Sequence, residues 1–260
     1  MINIDTRALV DRLHTLESIA LIQRVASTNL VARRVVDECI ANEVSLPTAM
    51  IVAGEQYAGR GRNARQWSSP AGKGIYATTL LTRPAAELPM VPLEIANIIA
   101  SYLRDTFGIE ARIKWPNDIL AGGRKIAGIL IEARMHGDDV YLLIGTGVNV
   151  EAASGDDRPN SVAIAEVTSR EFRGTATAIE AFIEHVDARL SQRFDGQRVL
   201  DEWRSLTVHG RGDRVTCDLG TRTVSGAWAG IDEHGRALLI ADEGTIAVSA
   251  GDLILPSSRA

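Results

Sequence analysis

Apolar positions change their period several times along the chain, and each change marks an element. Residues 17–25, ESIALIQRV, read as a strand. STNLVARRVVDECIAN then brings apolar residues back at helical spacing, with Ser27 or Thr28 as the cap. TAMIVAGE predicts a short buried strand, and GIYATTLLT alternates like another. Pro89 and Pro92 open a helix, PLEIANIIASYLRDTFG, that stops at Gly108. ARIKW, the turn Pro116-Asn117-Asp118 and two apolar runs follow; KIAGILIEARM and DDVYLLIGTGVNV are joined by His136-Gly137-Asp138 as a central β-hairpin. SVAIAEV, TATAIEAFIEHVDARLSQRF and VLDEWRSL read as helices, the last ending near Gly210. Beyond it, short alternating strands are broken by Asp-Leu-Gly, Glu-His-Gly and Asp-Glu-Gly, the rhythm of a small antiparallel barrel. The pattern predicts an α+β chain: a sheet covered by helices over residues 1–209, then a small β-barrel over 210–260. It shows no internal repeat.

Composition narrows the class. The chain has 260 residues, enough for one large unit and a small one, with 45% hydrophobic and 23% charged residues, too apolar for a disordered protein. The N-terminus MINIDTRALVDRLHTL mixes charges without a continuous apolar stretch, so no secretory signal is predicted, and no span approaches the ~20 apolar residues of a membrane crossing. Cys39 and Cys217 stand alone, without neighbours at metal-ligand spacing, and read as two buried free thiols of a cytoplasmic protein. A net charge of -5 argues against non-specific nucleic-acid binding.

Against that acidity, AGRGRNARQW gathers Arg60, Arg62 and Arg65 beside Gly59 and Gly61. Gly59 to Ala64 formally matches a dinucleotide-binding pattern. However, the continuation RQWSSPAGKG cannot start a helix, and no acid lies near Arg83. Gly72-Lys73-Gly74 lacks the rest of a P-loop. What remains is the physics of an anion grip: glycines allow close backbone approach, and arginine forks bond phosphate or carboxylate oxygens. In Lys114-Trp115-Pro116-Asn117-Asp118, the proline ends a strand and leaves Lys114 on a rigid element, partly shielded by Ile113 and Trp115. Taken singly, this cluster, Ser27-Thr28-Asn29, Lys125 and Gly145-Thr146-Gly147-Val148-Asn149 also fit ordinary caps, turns and bulges.

Their order says more. STN, then Q-x-x-GRGR-x-x-R-x-W, KWPND, GRK-x-AGIL-x-E, G-x-GVN and a small barrel with G-x-x-x-GID-x-x-G-x-x-L strongly resemble the biotin-protein ligases over roughly residues 18 to 255. The resemblance implies a class II synthetase-like biotin/lipoate ligase domain, a central mixed or antiparallel sheet flanked by helices, followed by an SH3-like β-barrel. It also implies adenylation of biotin by ATP with Mg²⁺ and transfer to a lysine of a biotin carboxyl carrier protein. Biotin would meet Ser27, Thr28, Asn29, Gln56, Arg60, Gly61, Arg62, Trp67, Lys114 and Gly128; Arg62, Arg65, Asn117, Lys125 and Asn149 would serve the nucleotide. Lys114, Arg60 and Arg62 would carry catalysis, no protein metal ligand is expected, and Asp118 is a candidate base for the attacking amine. Where many relatives have a second glycine after GRGR, this chain has Asn63-Ala64, so the loop tip must take another course or carry strain.

Only 26 residues precede Ser27, too few for the winged-helix domain of the repressor-type ligases, so DNA binding is not expected; nor is membrane association, while a homodimer would be in keeping with the family. Three rivals stay open. A lipoate ligase or octanoyl transferase shares the resemblance to the fold; a non-catalytic biotin or adenylate sensor would explain Asn63-Ala64; a nucleic-acid module would need exposed stacking aromatics, and aromatic residues are 5% of the chain.

Overall fold

The computed structural model describes residues 4–152, 160–220 and 222–254. Residues 221 and 255–260 of the expected barrel unit lie outside them. Seven strands form a mixed sheet: β1 (Ser18–Ile22), β2 (Ala49–Ala53), β3 (Gly74–Pro84), β4 (Ala111–Lys114), β5 (Asp118–Ala121), β6 (Arg124–His136) and β7 (Asp139–Asn149). Their order is β1-β2-β3-β7-β6-β5-β4, with β1 parallel to β2 and every other pairing antiparallel. The β6–β7 hairpin turns at Gly137, as the Gly signal predicts. β3 pairs with β7 along its whole length and is buried from Gly74 to Leu81, which requires cover on both faces.

The cover on one face is α2 (Thr28–Ala41), whose Ala32, Val36 and Cys39 pack with Ile51, Leu80 and Leu143. On the other lie α3 (Val91–Phe107), α5 (Thr175–Leu190) and α6 (Gly196–Leu206), with the short α4 (Ile164–Val167) nearby in sequence. α3 is buried nearly all round, as a helix apolar on every side must be, and ends on Gly108 at φ 66. At the N-terminus, α1 (Thr6–Val10) leads into a strap tied to α5: the buried Asp187 carboxylate accepts N–H bonds from His14, Thr15 and Leu16 at 2.7 to 2.8 Å. The strap lies against the core through Leu9 and Leu16.

The C-terminal sheet is antiparallel, order β11-β10-β9-β8-β12, from β8 (Arg214–Asp218), β9 (Thr223–Ile231), β10 (Ala237–Ala241), β11 (Gly244–Val248) and β12 (Asp252–Ile254). Its inward Val215, Cys217, Trp228 and Leu239 join the main core, where Trp228 meets Trp203 of α6 at 6.5 Å between ring centres. Both cysteines are free and buried. Three expectations need correction. Asp118 opens a strand rather than ending a turn. SVAIAEV is helical only over Ile164–Val167, because its first residues follow β6: Val162 N–H bonds to Lys125 O, and Ser161 bridges to Lys125. The long helix expected from Thr175 to Phe194 stops at Leu190. Among the described residues no helix is long and apolar enough to cross a membrane.

Candidate active site

A narrow slot opens where α2 begins. Ser27 holds the N-cap position in extended conformation, but no side-chain cap bond is made there. The cap comes from outside the helix: Gln56 Oε1 accepts from Thr28 N–H at 2.8 Å and from Thr28 Oγ1 at 3.1 Å. Gln56 Nε2 donates in turn to Ser69 Oγ at 2.9 Å. Thr78, fully buried on β3, lies 2.8 Å from Thr28 Oγ1 and 2.7 Å from Asn29 Oδ1. Asn29 Nδ2 donates to Glu132 Oε2 at 2.9 Å, and Glu132 also pairs with Arg33 and with Arg60. Burial pushes the Glu132 carboxyl up, yet the Asn29 bond and the two guanidinium groups outweigh it and hold it below the usual carboxylate range. The slot is thus lined by a braced polar network, including Ser27, Thr28, Asn29 and Gln56.

Its floor is made of missing side chains. Gly128 of β6 and Gly145 and Gly147 of β7 line the slot, and a Cβ on Gly147 would lie 2.5 Å from Trp67 Nε1. A Cβ on Gly145 would collide with the Asn29 amide. The bare backbone therefore admits the Trp67 indole, whose buried Nε1 has no hydrogen-bond partner among the described residues. A buried donor without an acceptor costs about 1–3 kcal/mol.

Trp67 ends the arginine loop. Gly61 N–H bonds to Arg65 O at 2.8 Å and Trp67 N–H to Gly59 O at 3.0 Å, making a tight hairpin. Asn63 and Ala64 form its tip at φ 53 and φ 57. The loop follows the glycine-like course with alanine, at roughly 1–2 kcal/mol of strain. The tip is fastened to β12: Arg65 Nη2 lies 2.8 Å and Arg62 Nη1 3.6 Å from Asp252, and Asn63 Nδ2 donates to Asp252 at 3.3 Å. Arg62 also donates to Asn117 Oδ1 at 2.8 Å and Gly251 O at 3.2 Å.

An outer cleft of about 450 Å³ adjoins the slot, bordered by Lys114, Asp118, Arg65, Asn160 and the β12 residues Asp252 to Ile254. Gly61, Arg62, Trp67, Asn117 and Lys125 line both cavities and so form the wall between them. Lys125 Nζ pairs with Asp118 at 2.6 Å and sits 5.2 Å from the Trp67 ring centre. The Lys114 ammonium makes no hydrogen bond or ion pair with any described residue, whereas Arg60, Arg62, Arg65 and Lys125 are all matched to carboxylates. Behind it, Trp115 N–H donates to Nε2 of the buried His209 at 3.0 Å.

Of the residues picked out in the sequence, Ser27, Thr28, Asn29, Gln56, Arg60, Gly61, Arg62, Trp67, Asn117, Lys125 and Gly128 converge on the slot, and Lys114 and Arg65 border the outer cleft. Lys114 does not reach the slot's lining. Asn149 lines neither cavity; its Nδ2 spans the carbonyls of Lys125 and Val162 at 3.3 and 3.2 Å, bracing the loop behind the cleft. Asp118 pairs in register with Lys114 and borders the outer cleft, with its carboxylate bonded to Lys125. Thr78 and Asp252 were missed, whereas Gly145 and Gly147 belong to the G-x-GVN stretch singled out in the sequence without a role assigned to either. Thr78 lies in a strand run with no local signal; Asp252 acts across 189 positions.

The profile of the biotin/lipoate A/B protein ligase family matches residues 23–149, and that of the biotin protein ligase C-terminal domain matches 212–255. The bifunctional ligase/repressor BirA of Bacillus spizizenii is 31% identical over 227 residues, spanning 83% of this chain and 69% of that protein. The biotin–[acetyl-CoA-carboxylase] ligase of Paracoccus denitrificans is 30% identical over 219 residues, spanning 79% of this chain and 90% of that one. In fold, the biotin protein ligase of Aquifex aeolicus, solved with biotin and ATP, superposes with a TM-score of 0.72 at 23% identity, covering 93% of this chain and 99% of that structure. With this degree of identity over most of its length, the chain belongs to the biotin–protein ligase family.

Proposed function

We propose that this enzyme joins the carboxylate of biotin to the α-phosphate of ATP and then passes the biotinyl group to one lysine of a biotin carboxyl carrier domain. In the first step a carboxylate oxygen bonds to phosphorus and pyrophosphate leaves, giving biotinyl-5′-AMP. In the second, the lysine nitrogen bonds to the acyl carbon and AMP leaves. The observation that carries this reading is the shared wall: a polar slot and a cationic cleft meet at Arg62 and Lys125, with the unmatched Lys114 bordering the cleft. Two anions can be condensed only where fixed cations offset their repulsion. Ser27, Thr28, Asn29 and Gln56 would bond the ureido ring, and Trp67 would cover the apolar part of biotin. Arg65, Asn117 and Lys125 would hold the nucleotide. Arg62, bonded to Asn117 and to β12, would keep the hairpin over the acyl phosphate and water away from it.

Among the described residues no three metal-ligating side chains cluster, and Asp118 and Asp252 are taken up by cations. Mg²⁺ would arrive on the nucleotide's phosphates, which supply oxygen ligands of the kind it prefers. We place the junction of the catalytic unit, 1–209, with the C-terminal unit, 210–260, just after the segment that follows α6.

Gly147→Ala tests the floor. The new methyl displaces the Trp67 indole, so biotin affinity by calorimetry should fall about tenfold, roughly 1.4 kcal/mol, with the thermal midpoint unchanged. The reading as a whole is tested by biotin-dependent exchange of labelled pyrophosphate into ATP, with lipoate and octanoate as parallel acids. Exchange with biotin alone is expected; exchange driven by another acid, or by none, would overturn it.

A further inference from the structure

His209 lies where the chain leaves α6 for the C-terminal sheet. Segment 207–209 extends the large sheet: Ile113 bridges Thr207 in parallel, and Val208 N–H donates to Ile113 O at 3.0 Å. The next donor along this edge is Trp115 N–H, and it is taken by the imidazole of His209. The His209 ring stacks on Trp228 of β9 at 4.5 Å, and the Trp115 indole donates to Gly235 O at 3.1 Å. Trp115, next to Lys114, is therefore held from two sides by groups that belong to, or lean on, the C-terminal sheet.

We propose that neutral His209 is a positioning residue for Lys114, fixing the end of β4 so that the lysine faces the outer cleft, and that a proton on its ring releases it. The inference rests on the reading of Lys114 as the cation that meets the reacting anions. With Nε2 accepting, the ring proton sits on Nδ1, which is buried without a partner. A second proton would put two donors, Nε2–H and Trp115 N–H, face to face. The charged groups acting on the ring are Lys114, which opposes protonation, and Asp213, which favours it less strongly. Burial first, then Lys114, pushes the imidazole down to about 4 from the ~6.5 of a free histidine. Because the folded value is the lower one, the contact is favoured in full above ~6.5 and lost as pH falls through about 4.

The test uses the full chain and three substitutions, assayed by biotin-dependent pyrophosphate exchange with a thermal melt for each. Gln places an oxygen near the position of Nε2 and does not titrate. His209→Gln should keep kcat within about twofold, and His209→Leu should lower kcat about tenfold with KM for biotin little changed. Protonated imidazole quenches a stacked indole, so tryptophan fluorescence should drop as pH falls through about 4 in the native chain and not in His209→Gln. Lys114→Ala is the control: exchange by the native chain that this substitution abolishes supports the underlying reading independently. With that control satisfied, a His209→Leu protein at full kcat, or a well-folded His209→Gln protein as slow as His209→Leu, would overturn the inference. A Lys114→Ala protein at full rate would overturn the reading beneath it and the inference together.

Discussion

Lys114→Ala is expected to lower kcat for biotin-dependent pyrophosphate exchange by about 100-fold to 1,000-fold while the protein melts at its native temperature. The size follows from where the charge stands. Around the two cavities Arg60 is matched by Glu132, Arg62 and Arg65 by Asp252, and Lys125 by Asp118. Those pairs deliver only part of their positive potential to a ligand. No carboxylate of a described residue comes within 4 Å of the Lys114 ammonium, since its cross-strand partner Asp118 is held by Lys125, and the Lys114 charge is felt by His209 behind it. A fixed donor or charge aimed at an oxyanion that forms in the transition state is worth about 10²–10³ in rate. Its removal should act on kcat more than on biotin affinity, because Lys114 does not line the slot. Equal losses in kcat and in biotin binding would place it in the slot instead.

The largest effect on stability is expected from Asp187→Ala. Its carboxylate holds three successive backbone N–H groups of the N-terminal strap, and alanine leaves all three without a partner beside the buried Leu16. Orphaning one buried and two part-buried donors of a charged acceptor should cost roughly 3 kcal/mol. At about 2–4 °C per kcal/mol for a chain of this size, the midpoint should fall by about 6–12 °C. Asp187→Asn retains one acceptor oxygen and should recover part of the loss. Unchanged melting of both variants would mean that the strap contributes nothing to the fold.

Much of this was legible in the sequence because the signals are local. Proline at the start of α3, glycine at its end, the His-Gly-Asp turn and the alternation of the last strands each act within a few residues. So do Arg60, Arg62 and Lys114, whose chemistry shows in the residue type. What escaped acts at a distance. The motifs that contain Gly128 and Gly147 do not show that Trp67 lies on them, and Asp252 carries no local hint of the hairpin it holds. Ser27 reads as a cap by position, yet Gln56, folded in from another strand's loop, does the capping. Asn149 sits in the right motif, but a nearer demand, two open carbonyls, takes its amide.

The hairpin over the slot is moored at its tip to the last described strand of the chain, 189 positions further on. The gate and the wall it latches to are therefore separate pieces of the molecule. A truncation, a docking protein or heat that frays β12 would unhook the hairpin and with it Arg62 of the slot wall, while leaving the Thr28–Gln56 contacts in place. Two arginines at the tip make this visible: trypsin cutting after Arg62 or Arg65 becomes a gauge of whether the far sheet is intact.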